Sequence, residues 1–310
     1  MPTRIKNYYH FPRAEWYKLK ETHHPIVDVD KLQKLVSIND RLNEKDILEI
    51  YTPLLQYINI FISSKEGFNQ EKHRFLDQAD LADSTPFIIG ISGSVAVGKS
   101  TIARVLRQML ATIFPDKVVE LMTTDGFLYS NDELTHRGIY DRKGFPESYD
   151  MSALINFMNK VKTSKEPVQY PYYSHEIYDI VPDKSVTLHN PDILIVEGIN
   201  TFQLPKSEQI YASDYFDFSI YVDADPIDIK QWYTDRYLVH IDLAKDNPDS
   251  FFYPMIEWSD EKVKEFGDNV WYTINLTNLV QNIEPTKERA DVILHKVSDH
   301  SIDLVKVRKY

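Results

Sequence analysis

The segment Gly93-Ser94-Val95-Ala96-Val97-Gly98-Lys99-Ser100 constrains what this chain can fold into more than any other stretch. A glycine, four residues, a second glycine and then Lys-Ser is the spacing of a phosphate-binding loop. The apolar run Phe87-Ile88-Ile89-Gly90-Ile91 leads into it, and Ile102, Val105, Leu106, Met109, Leu110 and Ile113 follow at helical intervals. A strand, a glycine turn and a helix are therefore expected in that order. The glycines let the backbone curl so that successive N–H groups point inward at phosphate oxygens, and the helix adds the positive end of its dipole. In such a loop Lys99 sits on the β- and γ-phosphates and the Ser100 hydroxyl on Mg²⁺. Residues Gly93 to Thr101 are thus the candidate nucleotide-binding loop.

Two acidic positions extend that reading toward phosphoryl transfer. Val118-Val119-Glu120-Leu121-Met122-Thr123-Thr124 reads as a second buried strand and ends on Asp125-Gly126-Phe127. Asp192-Ile193-Leu194-Ile195-Val196 reads as a third and ends on Glu197-Gly198. Both carboxylates would stand at the carboxyl edge of a parallel sheet, where ligands bind. Asp125 suits the base or orienting group at an acceptor hydroxyl, and Glu197 suits a place near magnesium, directly or through water. Either acid alone could instead cap the next helix.

Cations must gather locally to hold a nucleotide, because 35 Lys and Arg against 47 Asp and Glu give a formal net charge of −12. The candidates are Lys99, Arg104, the cluster Arg137, Arg142 and Lys143, and Arg236 in Trp232-Tyr233-Thr234-Asp235-Arg236-Tyr237. Arg236 falls on an expected helix beyond the strand Phe216 to Val222, where a lid arginine would stabilise charge in transfer.

No glycine- or serine-rich linker, low-complexity run or repeat divides the 310 residues. The expected architecture is a single α/β unit: an N-terminal helical extension over 1–84, poor in strands, packed on a core over 85–310 with a mostly parallel sheet flanked by helices. Asp30 to Ile38 and Ile47 to Ile62 carry apolar residues at helical intervals, while Ala290 to Leu294 and Ile302 to Val307 read as late strands. The chain has no cysteine, which excludes disulfides, thiolate metal sites and cysteine nucleophiles. No apolar run approaches the roughly 18 residues of a membrane span, and Met1 to Asn7 is not followed by a secretory core. The expectation is a cytoplasmic protein without a membrane or nucleic-acid partner, since acidic balance disfavours a phosphate backbone.

The other dense constellation is Tyr170-Pro171-Tyr172-Tyr173-Ser174-His175-Glu176-Ile177-Tyr178-Asp179. Tyrosine hydroxyls and a neutral imidazole can hydrogen-bond an amide-bearing or hydroxylated acceptor while the rings cover its apolar surface. The same residues could equally be an aromatic loop packed on the core.

The phosphate loop, Thr123-Thr124-Asp125-Gly126-Phe127-Leu128, Arg142-Lys143-Gly144-Phe145-Pro146-Glu147-Ser148-Tyr149-Asp150, Tyr173-Ser174-His175, Ile195-Val196-Glu197-Gly198-Ile199-Asn200 and Gln281-Asn282-Ile283-Glu284-Pro285-Thr286 occur in one order. As a set they resemble the bacterial type I pantothenate kinases, a P-loop kinase family, over nearly the whole chain. The resemblance implies ATP- and Mg²⁺-dependent phosphorylation of the primary hydroxyl of pantothenate, the first step of coenzyme A synthesis, by a cytoplasmic homodimer. It implies Asp125 as base, Lys99 and Arg236 as phosphate stabilisers, and Ser100 with Glu197 around the metal. It implies Tyr173, His175, Tyr178, Tyr233 and Asn275 as the pantothenate contacts. It also implies inhibition by coenzyme A competing with ATP, with Arg104 and His175 at positions tied to that control. His240 departs from the aromatic residue expected near the ligand's thiol end, and without cysteine any such inhibition is non-covalent.

Two other classes share parts of the pattern. A kinase for uridine or a sugar phosphate would keep the loop and Asp125 but differ in the acceptor pocket, and the tyrosine-histidine cluster argues against it. A GTPase switch needs a guanine-reading Asn-Lys-x-Asp, whereas Asn159-Lys160-Val161-Lys162 ends in lysine and no apolar strand precedes Asp141-Arg142-Lys143-Gly144.

Overall fold

The computed structural model describes residues 7–20, 29–38, 40–77, 85–204 and 210–310. The expected boundary at 84 and the first six residues lie outside them.

Five apolar segments build the parallel centre of a seven-stranded sheet: β2 (Phe87–Gly93), β3 (Val119–Thr123), β6 (Ile193–Glu197), β7 (Phe218–Ala224) and β8 (Val292–Lys296). β2 and β6 are buried at every position, as strands covered on both faces must be. β9 (Ile302–Arg308) turns back antiparallel on β8, and β1 (Tyr8–Pro12) pairs antiparallel with β9. The order is β1-β9-β8-β7-β2-β6-β3. β4 (Val168–Ser174) and β5 (Asp179–Leu188) form a separate hairpin.

Between these strands run α1 (Arg13–Lys18), α2 (Val29–Gln33), α3 (Glu44–Asp46), α4 (Thr52–Phe75), α5 (Lys99–Ile113), α6 (Asn131–His136), α7 (Met151–Thr163), α8 (Pro226–Ala244), α9 (Asp260–Val270) and α10 (Leu276–Asn278). The expected helix over 47–62 begins as a π-turn, Ile47–Tyr51, and continues as α4 well past its expected end. That over 30–38 is shorter, since α2 closes at Gln33 and the chain then turns toward the phosphate loop.

The N-terminal segment is helical but also supplies β1, a short aromatic run, Tyr8-Tyr9-His10-Phe11-Pro12, whose brevity and terminal proline conceal it. Tyr8 pairs with Arg308 and Pro12 with Leu304, covering an edge that would otherwise expose unpaired backbone groups. The Tyr8 hydroxyl donates to the Ala290 carbonyl at 2.6 Å. Trp16, Leu32, Ile50, Leu54 and Ile58 share one buried cluster with Ile89, Val105, Phe218 and Val305. The N-terminal helices thereby pack on one face of the sheet, and the carboxyl edge of β2, β6 and β3 faces the candidate site.

Candidate active site

β2 delivers Gly93 to the sheet edge at φ +147°, where a Cβ would lie 2.6 Å from the Val222 carbonyl oxygen, so the loop starts where only glycine fits. It ends on Gly98 at φ +98°, the N-cap of α5. A Cβ there would lie 2.6 Å from both the Asp40 carboxylate and the Lys296 ammonium. Between them the backbone wraps an anion-sized concavity at the head of a 15-residue helix, whose first N–H groups lack intrahelical acceptors. Lys99 folds back to donate to the Ser94 carbonyl at 2.7 Å, and the buried Ser94 hydroxyl has no protein partner among the described residues. Thr101 and Arg104 face the N-terminal segment: Thr101 bonds both the Ser37 amide and hydroxyl, and Arg104 donates to the Leu35 carbonyl at 2.7 Å and the Ser37 hydroxyl at 2.6 Å.

The sheet register sets Glu197 beside Ile91 and Thr123. The Ser100 hydroxyl donates to Glu197 at 2.9 Å. Asp125 follows β3 in a 3₁₀ turn, Thr124–Phe127, its amide donating to the Thr123 hydroxyl. Burial raises the pKa of Asp125, with Lys99, Arg236, Lys143 and a hydrogen bond to Tyr149 opposing it. Burial raises that of Glu197 as well, opposed chiefly by Lys99. Lys99 is lowered by burial and supported first by Glu197, then by Asp125. Lys99 is thus the cation that most strongly opposes the effect of burial on both carboxylates.

Arg236, on α8, exerts its charge on Lys99, Asp125, His175 and His240, so it projects across the cleft from the opposite side. Its Nε lies 3.3 Å from His240 Nε2. The His240 ring stacks on Phe252 with centroids 5.2 Å apart, and burial and then Arg236 lower its pKa to about 4.

The β4–β5 hairpin closes the third side. Tyr173 meets His175 and Tyr178 edge-on, and Tyr178, at φ +56°, stacks on Phe251. His175 Nε2 stands 3.8 Å from Asp125 Oδ2. The His175 side chain is 55% exposed, yet the atoms packed around it and the Arg236 charge lower its pKa to about 4, keeping the imidazole neutral. Burial raises the pKa of Tyr173, Tyr178 and Tyr233, so all three remain hydroxyl donors. Tyr233 is placed by the rings of Tyr237 and Trp271. Asn275 lies half-buried at the end of the π-turn Trp271–Asn275, one turn beyond the ring that backs Tyr233.

Of the three clustered cations, the structure brings in one. Arg137 pairs with Glu133 at 2.6 Å and Arg142 with Glu147 at 2.7 Å, each lying over a neighbouring ring, on the surface. Lys143 is buried, donates to Asn131 Oδ1 and the Tyr178 carbonyl, and feels Asp179 and Asp125. Burial lowers its pKa to about 8.

Sequence reasoning missed the supports. Asn200 and Asn278 both donate to the Gly144 carbonyl, at 2.9 and 2.8 Å, fixing the loop that carries Lys143. Asp40, behind Gly98, binds the buried Lys296 ammonium at 2.8 Å, and His300 Nδ1 stands 3.2 Å away. Nothing local in Ser37-Ile38-Asn39-Asp40-Arg41 signals that burial.

Among the described residues no three His, Cys, Asp or Glu gather into a metal site of their own. Ser100 and Glu197 do present a hydroxyl and a carboxylate to one point beside the loop. That donor set fits Mg²⁺, which takes one or two carboxylates and completes its shell with water and substrate phosphates.

A phosphate loop closing a parallel sheet, with two carboxylates at its edge and a cation facing them, defines a P-loop kinase. The phosphoribulokinase/uridine kinase family model matches residues 88–232. D-glycerate 3-kinase from Cryptococcus neoformans var. grubii shares the fold at a TM-score of 0.50 and 14% identity, covering 80% of this chain and 97% of that one. The pantothenate kinase of Latilactobacillus sakei is 48% identical over 98% of both chains, and that of Enterococcus faecalis 47% identical over 98% of both. The chain belongs to the pantothenate kinase family.

Proposed function

We propose that the protein transfers the γ-phosphoryl group of ATP to the primary hydroxyl of pantothenate, giving 4'-phosphopantothenate, the first step of coenzyme A biosynthesis. One observation carries this reading: Asp125 stands between the phosphate loop and the Tyr173-His175-Tyr178 hairpin, in a chain whose full-length relatives are named pantothenate kinase.

In this mechanism Tyr173, His175, Tyr178, Tyr233 and Asn275 hold pantothenate, and the hairpin rings exclude water from the acceptor. Asp125 takes the hydroxyl proton as the oxygen bonds the γ-phosphorus, and the bond to the bridging oxygen breaks, leaving its electron pair on ADP. A carboxylate whose pKa is raised by burial is a stronger proton acceptor than a solvated one. Lys99 turns from the Ser94 carbonyl to the phosphates, and Arg236 meets the charge from the far side. Ser100 and Glu197 would hold Mg²⁺, which when bound neutralises charge on the β- and γ-phosphates.

Coenzyme A competes with ATP in this account, with Arg104 and His175 contributing. Arg104 is already committed to Leu35 and Ser37, so inhibitor binding draws on a half-buried guanidinium held by the N-terminal segment. The protein acts as a homodimer in the cytoplasm, and no helix among the described residues is long and apolar enough to cross a membrane. Mass spectrometry of pantothenate incubated with protein, ATP and Mg²⁺ tests the reading. A singly phosphorylated product supports it, and unmodified pantothenate beside an active preparation of a known pantothenate kinase overturns it.

A further inference from the structure

The half-buried guanidinium of Arg236 is ion-paired with no carboxylate among the described residues, whereas those of Arg13, Arg137, Arg142 and Arg308 each bind Asp or Glu. Its one hydrogen bond among those residues runs to a neutral acceptor four positions along α8: the Nε–H donates to His240 Nε2 at 3.3 Å. The Nε edge is thus held, and the two terminal nitrogens, which carry four of the five N–H groups, have no acceptor among the described residues. Side chains at this spacing share one face of a helix, so the contact is built into α8 itself.

A carboxylate in place of the imidazole would hold the guanidinium more tightly, but it would cancel the charge that Arg236 projects onto Lys99, Arg104 and Asp125. An unprotonated imidazole orients the group and leaves its charge whole. Burial, then Arg236 and His175, keep the ring unprotonated, with its single proton on Nδ1 while Nε2 accepts. The ring is fixed from outside α8 as well. It stacks on Phe252 with planes 12° apart, and Phe252 is met edge-on by Phe251 at 5.2 Å and by Tyr237 at 6.1 Å. The Phe251 amide donates to the Glu176 carbonyl at 2.8 Å, which ties this aromatic group to the hairpin turn between His175 and Tyr178. Stacking on Phe252 would be served by any ring, whereas only an imidazole adds the acceptor for Arg236.

We propose that His240 is a positioning residue for phosphoryl transfer, its Nε2 fixing the Nε edge of Arg236 so that both terminal nitrogens are left for the phosphates; the inference rests on the kinase mechanism above. Two variants separate this role from packing. His240→Phe keeps a ring for Phe252 and lacks the acceptor, while His240→Gln gives up the ring and offers a carbonyl oxygen at about the reach of Nε2. Circular dichroism verifies that each is folded. Steady-state assays with ATP and pantothenate should show kcat about 10-fold lower in His240→Phe with KM for pantothenate within about twofold, and at least about a third of native kcat in His240→Gln. A packing role predicts the reverse order, so His240→Gln slower than His240→Phe overturns the proposal. Arg236→Lys is the coupling control, because an ammonium has no Nε edge to be held. In that background His240→Phe should change kcat by less than about twofold, and a further loss of about 10-fold would mean that His240 acts independently of Arg236, which also overturns the proposal. Native kcat in Arg236→Lys removes Arg236 from the mechanism and the inference with it. A native protein without pantothenate-dependent turnover is the separate outcome that overturns the proposed function itself, and both then fall.

Discussion

Asp40→Asn removes one charge from the buried pair behind the phosphate loop and leaves the shape almost unchanged. The side chains of Asp40 and Lys296 are 6% and 4% exposed, with nitrogen and oxygen 2.8 Å apart. The substitution strands the Lys296 ammonium where water cannot solvate it, and breaking a buried pair in this way costs about 3–5 kcal/mol. With roughly 2 cal/mol/K of unfolding entropy per residue, about 1.5 °C per kcal/mol for a chain of this length, Tm should fall by roughly 5–8 °C at pH 7. Lys296→Met in the same background removes the stranded charge and should restore much of the loss. The sign of the pH dependence follows from Asp40, whose pKa lies well below the ordinary 3.8 because His300, Lys296 and Thr101 together outweigh its burial. A depressed carboxyl pKa contributes stability that is complete above the unfolded value and fades as pH falls toward the folded one. The gap in Tm between native chain and variant should therefore be constant from pH 5 to 7 and narrow below about pH 4. Differential scanning calorimetry reads both effects. A loss under about 1 kcal/mol, the size of an exposed pair, would refute the claim that burial decides this interaction.

Further outcomes follow from the cleft. Asp125→Asn should lower kcat by at least about 100-fold in steady-state assays while leaving ATP affinity, measured by calorimetry, nearly intact. Burial lowers the Lys143 pKa to about 8, and the Lys143 charge is one of those that hold the Asp125 pKa down. Lys143→Met, by removing that cation, should move the acid limb of the kcat/KM profile to higher pH. Gly98→Ala would press a methyl group against Asp40 and Lys296 at a positive φ, so ATP binding should be lost and Tm lowered together.

The sheet and the loop were legible because their signals are local. The apolar runs ending at Gly93 and Glu197 announce strands covered on both faces, whereas the run before Asp125, expected to be buried, forms the half-buried edge strand β3; a glycine pattern followed by helical periodicity admits few alternatives. β1 was not legible, because five residues ending in proline acquire strand geometry only from β9, nearly three hundred residues away. The three clustered cations show the same limit. Arg137, Arg142 and Lys143 look alike in sequence, and what separates them is that Asn200 and Asn278 hold the Gly144 carbonyl and turn Lys143 inward. Asp40 sits in a polar turn, and its burial is created by Gly98 and by Lys296, which is 256 residues away in the chain. Asn275 matched by resemblance alone, whereas the asparagine one turn later, Asn278, carries the visible bond.

The most direct test is a coupled ADP-release assay of the purified protein with ATP and Mg²⁺, offering pantothenate, uridine and no acceptor in parallel. Turnover that depends on pantothenate, with uridine no better than the blank, is the predicted result. Turnover with uridine alone, or with no acceptor at all, would leave the phosphate loop and its fold standing and contradict the assignment of pantothenate to the cleft beside Asp125.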